Sequence, residues 1–433
     1  MEKEKTEEAI DKPIEKPVVI VLGGTVPHIE LLKKLDHKGY HTVLIDYYQD
    51  PPAKAFAHEH ICESTLDQEA VLRITKEKKG VMVMGPCVDQ ANVVACYVSE
   101  QLGLPEPYNY ETSLDVTDKG RMKEIMKANG IPTSDFVVVE TSDEAAKLES
   151  ISYPAVVKPV DNNGSKGVRK VDCKEEMVEA VAHGLSLSRA GRAIVEGYCP
   201  GSEIQVDCFV KDNEAHVIMS RHRLKTKPET GRAIQAFGSL IPAVLTEKVR
   251  HQVEEAAVTI AKAFKLNNTP FFYQGIVTEE RLSVLELAPR IGGNLSYFFM
   301  KEAAKFDILD ATIAAFEGKS IVMDYQSPKS LYASSIIYAK AGILRGITGF
   351  DDMKDQGLVL DYYFMKTPGM EIGTEMDSRN RVACYFMKGE SYKDLLDKAR
   401  IIQDAVGVTD NQGKDIMCRD LIMTEDMIPG GIG

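Results

Sequence analysis

Short apolar runs alternate with helical patterns over residues 17–106, and this alternation restricts the fold more than any other feature of the chain. Val18–Leu22 reads as a buried strand, Gly23-Gly24-Thr25 as a tight turn, and Ile29–Leu35 as a helix with apolar positions at 3.6-residue spacing. A second strand over His41–Asp46, a third over Val81–Met84 and a helix from about Gln90 to Leu102 follow. Parallel strands need crossover connections, so the segment predicts a parallel sheet with helices on its faces. Loops at the carboxyl ends of such strands hold ligands. Gly23, Gly24 and Asp89 are therefore candidate substrate contacts, with a purely structural role as the alternative. Gly23-Gly24 followed by Asp46 imitates a dinucleotide fingerprint, but the third glycine is missing, so a nicotinamide cofactor is not expected.

At 433 residues the chain has room for roughly three domains. Its formal charge of −13 argues against a general nucleic-acid or anionic-membrane surface, though not against a local basic pocket. No stretch is long and apolar enough to span a membrane. The charged, Pro-punctuated residues 1–16 read as a disordered tail, not a signal peptide. Eight cysteines without a C-x-x-C pair imply reduced thiols and a cytoplasmic protein. The nine histidines form no metal constellation; His58-x-His60 is the closest approach to one.

Downstream, Asp118–Asn129 is predicted as one helix, closed by Gly130 with Pro132 beyond. Strands at Phe136–Val139, Ala155–Lys158 and Val168–Val171 and a helix over Lys174–Ala190 make a unit the size of a mobile lid. Strands Ala193–Glu196, Glu203–Val210 and Glu214–Met219 open a larger antiparallel unit that runs on to a strand at 283–287.

That last strand leads into Ser-Val-Leu-Glu-Leu-Ala-Pro-Arg-Ile-Gly-Gly-Asn, residues 283–294. Alternation along a strand turns Leu285 and Glu286 to opposite faces, one walling an apolar slot while the other holds a metal. Arg290 follows in a turn whose glycines let backbone approach a phosphate. A carboxylate for Mg²⁺ with an arginine for a phosphoryl group is the chemistry of ATP cleavage; a buried strand with a surface ion pair is the plainer alternative. Three other segments fit the first reading. Lys119 stands at a helix start and can aim at a polyphosphate. Lys158 ends a buried strand and so needs an anionic partner, and the loop Asp161–Gly167, with Gly164, Ser165, Lys166 and Gly167, can wrap a phosphate or be a plain hairpin turn. Glu196 at a strand end can accept from an adenine amino group, with backbone of Gly197 and Tyr198 meeting ring nitrogens, and Glu203 can accept from ribose hydroxyls; alternatively both are exposed strand-end carboxylates. His222 and Arg223, in the basic run Arg221–Lys225, and Arg232 beyond it, could bind a substrate carboxylate or sit on a solvated edge.

Asp-Lys119 with a helix ending Asn-Gly-Ile-Pro, Tyr-Pro-x-x-x-Lys158 with its glycine loop, Val-Glu196-Gly-Tyr and Leu-Glu286-x-x-Pro-Arg290 occur in an order that resembles the ATP-grasp superfamily over about residues 17–320. The nearest branches are biotin carboxylase, carbamoyl-phosphate synthetase and the amino-acid ligases. The resemblance implies an α/β fold (α+β in the ATP-grasp lobes): a Rossmann-like domain at 17–115, a lid at 116–192, an ATP-grasp core at 193–330 and a C-terminal α/β lobe at 331–433. It implies that Lys119 and Lys158 contact the α- and β-phosphates and that the Asn163–Gly167 loop closes over the γ-phosphate. Glu196, Gly197 and Tyr198 would read adenine, Glu203 the ribose, and Leu285 would pack under the base. Mg²⁺ (or Mn²⁺) would be held by Glu286 and by Gln274 on the paired strand, and Arg290 would stabilise the transferring phosphoryl group. The family's usual asparagine two residues after the bridging glutamate is Ala288 here, with Asn294 the candidate replacement. The implied activity is an ATP-dependent ligase joining a small-molecule carboxylate to an amine, in a protein that is often a homodimer. Phosphoribosylglycinamide synthetase-like, carbamoyl-phosphate synthetase-like and non-catalytic nucleotide-binding proteins are the alternatives.

Overall fold

The computed structural model describes residues 16–162, 164, 166–226, 234–293, 295–374 and 376–428. The expected tail, apart from Lys16, and the candidates Ser165, Arg232 and Asn294 lie outside these, as does Asn163 of the lid loop.

The amino-terminal strands β1 (Val18–Leu22), β2 (His41–Asp46), β3 (Glu59–Cys62) and β4 (Gly80–Met84) form a parallel sheet in the order β3-β2-β1-β4. Their crossovers carry helices α1 (Val26–His37), α2 (Gln68–Glu77) and α3 (Asp89–Leu102). The sequence reading lacks β3 and α2. β3 is a short, half-exposed edge strand with one strongly apolar residue, Ile61, so no apolar run announces it. The Asp46 carboxylate accepts the Gly24 and Tyr48 N–H groups at 2.6 and 2.9 Å. A Cβ on Gly24 would lie 2.5 Å from Pro51, so this glycine serves loop packing.

The expected Asp118–Asn129 helix begins one residue later. Helices α4 (Tyr110–Thr117) and α5 (Lys119–Ala128) are separated by Asp118, whose extended backbone ends the first and whose side chain caps the second at Arg121 N–H. Lys119 therefore occupies the first helical position, as the sequence implied. The lid sheet pairs β5 (Phe136–Val139), β6 (Ala155–Pro159), β7 (Arg169–Val171) and β8 (Ala193–Gly197) in the order β5-β8-β6-β7. Helices α6 (Ser142–Ala146) and α7 (Lys174–Leu187) cover it, burying Ala145, Met177 and Val181 against Val157 and Val195. β8 lies beyond the expected boundary at 192, yet it is the lid's own central strand.

The core holds β9 (Ser202–Lys211), β10 (Glu214–Lys225), β11 (Ala236–Ile241), α8 (Glu247–Ala263), β12 (Thr269–Val277), β13 (Leu282–Ala288), α9 (Ser296–Ala303) and α10 (Ile308–Phe316). The last hundred residues add β14 (Leu331–Tyr338), β15 (Gly342–Thr348), α11 (Phe350–Asp355), β16 (Asp361–Phe364), β17 (Glu371–Ile372), β18 (Arg381–Gly389), α12 (Tyr392–Ala405) and β19 (Gly407–Asp410). One eight-stranded sheet runs β13-β12-β9-β10-β11-β14-β18-β16. The expected division at 330/331 is thus crossed by direct strand pairing, with Gly238 opposite Ser335. Gly238 makes the join possible, since a Cβ there would lie 2.5 Å from the Ser334 carbonyl oxygen. β15, β17 and β19 form a smaller sheet beside it. No helix among the described residues is long and apolar enough to cross a membrane.

Phe386 of β18 is fully buried, 4.4 and 4.6 Å (ring centroids) from Phe298 and Phe299 of α9. Phe386→Ala should cost about 3–5 kcal/mol of stability in a denaturant titration, because the packed ring site cannot collapse fully. A loss below about 1 kcal/mol would mean that the carboxyl-terminal strands are not part of the core.

Candidate active site

The lid and core sheets face each other across a cleft of about 380 Å³. Lys119, Lys158, Gly164, Glu196, Gly197, Tyr198, Glu203, Arg223, Gln274, Leu285, Glu286, Arg290 and Asp89 all line it, although they come from segments up to two hundred residues apart. His222 does not. It alternates with Arg221 and Arg223 along β10, faces away, and accepts the Val244 N–H at 3.0 Å.

Hairpin register puts Gln274 opposite Glu286, as the sequence suggested. The next pair is Gly275 with Val284, so Leu285 is an extra residue in β13. This bulge corrects the alternation argument: Leu285 and Glu286 both line the cleft. Val156 from the lid and Ile276 from the core share that lining, making an apolar slot between the sheets.

At the inner end, Glu196 is 2 % exposed and accepts from Lys158 Nζ and Lys123 Nζ, both at 2.9 Å, and from Ser134 Oγ at 3.0 Å. Burial alone would raise its carboxyl pKa, but the two ammonium groups outweigh burial and hold it at about 2. Burial dominates at Lys123, which is pushed below the ordinary lysine range; at Lys158, Glu196, helped by Glu286 and Glu203, prevails over burial and raises it. Gly197 N–H donates to Asp135 O and Tyr198 N–H to Pro154 O. Lys123 was missed by the sequence reading; its signal was the spacing of four from Lys119, which sets both on one side of α5.

Lys119 Nζ donates to Asn162 O at 2.5 Å and stands 3.8 Å from Glu286 Oε2. Glu203 is paired with Lys225 and, at 3.4 Å, with Arg223 Nε; these two cations outweigh the burial that would raise its pKa. At the far end, Asp89 takes Arg290 bidentately, at 2.5 Å to Nε and 2.8 Å to Nη2. The guanidinium also lies 5.0 Å over the Phe272 ring and donates Nη1–H to Ile291 O. Asp89 was a substrate candidate; here it orients Arg290. Ser378 and Arg381 complete the lining from the carboxyl-terminal region, where nothing local in the sequence marks them.

Among the described residues no three His, Cys, Asp or Glu side chains converge as a metal cage. Glu286 with the amide of Gln274 opposite is a set of hard oxygen donors that suits Mg²⁺ only if a polyphosphate fills the remaining positions. Ala288 has no donor to add.

Two sheets thus close on a cleft that lysines and the Glu286–Arg290 segment line together. Residues 151–297 match the ATP-grasp domain family, and residues 335–409 match the L-amino acid ligase C-terminal domain 2 family. The protein therefore carries an ATP-grasp domain followed by an L-amino acid ligase C-terminal domain. It is 28% identical over 293 residues to phosphoribosylamine–glycine ligase of Chlorobaculum tepidum, covering 64% of this chain and 68% of that enzyme. It is 28% identical over 184 residues to the formate-dependent phosphoribosylglycinamide formyltransferase of Pasteurella multocida, spanning 42% of this chain and about half (47%) of that one. Its fold is similar to the crystal structure of an L-amino acid ligase from Bacillus licheniformis, with a TM-score of 0.75 at 19% identity over 92% of this chain and 99% of that one.

Because Glu196 sits well below its ordinary pKa of 4.5, it contributes stability in full above about pH 4.5 and loses it as pH falls through about 2. The unfolding free energy should therefore drop steeply across that interval, and the Glu196→Gln protein should show a shallower drop. Equal acid slopes for the two proteins would mean that the carboxylate is not held by the two lysines.

Proposed function

We propose that the protein is an ATP-dependent ligase that activates a carboxylate as an acyl phosphate for attack by an amine. The observation that carries this is Arg290, fixed by Asp89 and Phe272 in a cleft that Lys119, Lys158 and Glu196 also line. In the first step a substrate carboxylate oxygen bonds to the γ-phosphorus of ATP and the bond to the β-phosphate oxygen breaks, leaving ADP. In the second step the amine nitrogen bonds to the acyl carbon, inorganic phosphate departs, and the nitrogen loses a proton.

Lys119 and Lys158 are assigned to the α- and β-phosphates, the loop with Gly164, Lys166 and Gly167 to the γ-phosphate, and Arg290 to the equatorial phosphoryl oxygens. Adenine fits the slot of Leu285, Val156 and Ile276 beside Glu196, Gly197 and Tyr198; the ribose lies toward Glu203. Glu286 and Gln274 would hold Mg²⁺ or Mn²⁺, which when bound neutralises charge on the phosphates. Positioning and charge neutralisation suffice for such a transfer. Burial pushes the Cys87 thiol in the cleft up to about 12, despite nearby Arg290, which makes this thiol a poor nucleophile. All eight cysteines are free thiols, which suits a cytoplasmic enzyme. A second reading, a phosphoribosylamine–glycine ligase-like activity on a sugar-phosphate amine, is favoured by the identity with the Chlorobaculum tepidum enzyme.

ADP release from MgATP against pooled carboxylates and amines tests the proposal: release should require one acid and one amine together. Silence in every pool, with ATP still bound, would point instead to the sugar-phosphate reading or to a non-catalytic nucleotide-binding protein. Arg290→Ala should lower kcat by about 100–1,000-fold, the scale of losing a transition-state donor, while ATP affinity stays within about twofold. Asp89→Asn, which leaves Arg290 poorly oriented, should lower kcat/KM by roughly 100-fold with the nucleotide KM little changed. Full activity in Arg290→Ala would overturn the assigned mechanism.

A further inference from the structure

One row of polar side chains crosses four strands of the large sheet in register. Glu286 of β13 lies opposite Gln274 of β12, Gln274 opposite Gln205 of β9, and Gln205 opposite Arg221 of β10. Residues directly opposite on antiparallel strands share a face of the sheet. Glu286, Gln274 and Gln205 line the cleft, whereas Arg221 is fully buried at the inner end of the row. Asp207, two residues along β9 from Gln205 and so on the same face, is equally buried and stands 3.5 Å from Arg221 Nε.

Hydrogen bonds lead from this pair to the cleft along two branches. Asp207 Oδ1 accepts from Gln205 Nε2 at 2.8 Å, and Gln205 Oε1 accepts from Gln274 Nε2 at 3.5 Å. The Gln274 amide nitrogen is thereby committed to Gln205, which leaves its oxygen as the end available to a cation beside Glu286. On the other branch Arg221 Nη2 donates to Ser296 Oγ, and that hydroxyl donates to Gly293 O at 2.8 Å. Gly293 lines the cleft three residues after Arg290. Gly292 is pressed onto the same cluster: a Cβ there would lie 2.5 Å from Ser296 Oγ and 2.8 Å from Asp207 Oδ1.

Stability alone is a poor account of this cluster. Arg221 Nε and Nη1 and Asp207 Oδ2 are buried and make no hydrogen bond among the described residues. Such atoms are costly, and an apolar pair of similar volume is often at least as stable as a buried ion pair. The bonds that are made end at Gln274 and Gly293, both in the cleft lining.

We propose that Arg221, together with Asp207, positions the candidate metal site and the turn behind Arg290. Through Gln205 the pair holds the Gln274 amide with its oxygen free for the metal; through Ser296 it holds the Gly292–Gly293 turn. Both act through other residues and neither lines the cleft. The inference takes the metal assignment of Glu286 and Gln274 from the ligase reading, but its test needs no turnover.

Electron paramagnetic resonance of Mn²⁺, titrated into the full chain with a non-hydrolysable ATP analogue present, provides that test. The double variant Asp207→Leu/Arg221→Met exchanges the ion pair for an apolar one and should melt within a few degrees of the wild type. It should bind the metal-free analogue within about twofold of the wild type, yet hold Mn²⁺ roughly 10–100-fold more weakly, the range for losing a partner that orients a metal ligand. Gln205→Met leaves the ion pair in place and cuts only its link to Gln274. It should show a similar loss, which keeps the test decisive if the double variant does not fold. Unchanged Mn²⁺ affinity in either folded variant overturns the proposal, because a pair that only stabilised the sheet would leave the metal untouched. Failure of the wild-type complex to bind Mn²⁺ overturns it together with the metal assignment. The two readings fail separately: weaker Mn²⁺ binding in the variants, with no ADP release from the wild type in any pool, counts against the ligase and leaves the positioning role standing. ADP release that needs acid and amine, with unchanged Mn²⁺ affinity in the variants, sinks the positioning role but not the ligase.

Discussion

One buried carboxylate between two ammonium groups joins the lid sheet to the core of this molecule. Glu196 ends the central lid strand, Lys158 comes from the neighbouring lid strand, and Lys123 rises from α5 beneath the core. Lys123 also donates to Thr133 and Ser134, and Thr133 passes the connection to the Val284 carbonyl of β13 at 2.7 Å. The lid sheet, α5 and the strand bearing Glu286 are thus tied through one polar cluster. Burying three charges is expensive, and such a cluster is weak grounds for a claim of stability. Deleting one member is another matter, since it strands the others without a partner. The cluster's effect is registry: it fixes the lid sheet relative to β13, which bears Leu285 and Glu286.

The same logic explains how a chain of charge −13 keeps a cationic cleft. Several cations that face inward are matched by a carboxylate from another segment, Lys158 by Glu196, Arg223 and Lys225 by Glu203, Arg290 by Asp89. The lining is therefore dense in donors without being strongly repulsive when empty. A polyphosphate entering it meets donors already oriented, so little of its binding energy goes into rearranging them.

Much of the site was legible because its residues sit at strand ends and helix starts, where local signals are strong. Lys119 follows a capping aspartate, Lys158 closes an apolar run, and Arg290 follows one after a proline. Other features carried no such signal. His222 belongs to a basic run, yet strand alternation turns it away from the cleft while Arg223 faces in. Leu285 and Glu286 share a face because β13 has a bulge, and a bulge is a property of strand pairing. Asp89 was noticed for its position in a loop, but its partner lies two hundred residues on.

The sequence by itself determined most strands and helices of residues 17–288 and the order of the ATP-binding segments. Apolar periodicity, caps and turn residues act over a few neighbours and can be read one window at a time. The tertiary structure decided what those windows could not contain. It carried β14, β18 and β16 into the core sheet in place of a separate lobe, gave β8 to the lid, and brought Ser378 and Arg381 to the cleft from the far end of the chain. Each of these depends on which strand edge pairs with which and on which buried charge finds a partner. Those choices are made by contacts between segments distant in sequence, and a local pattern cannot encode them.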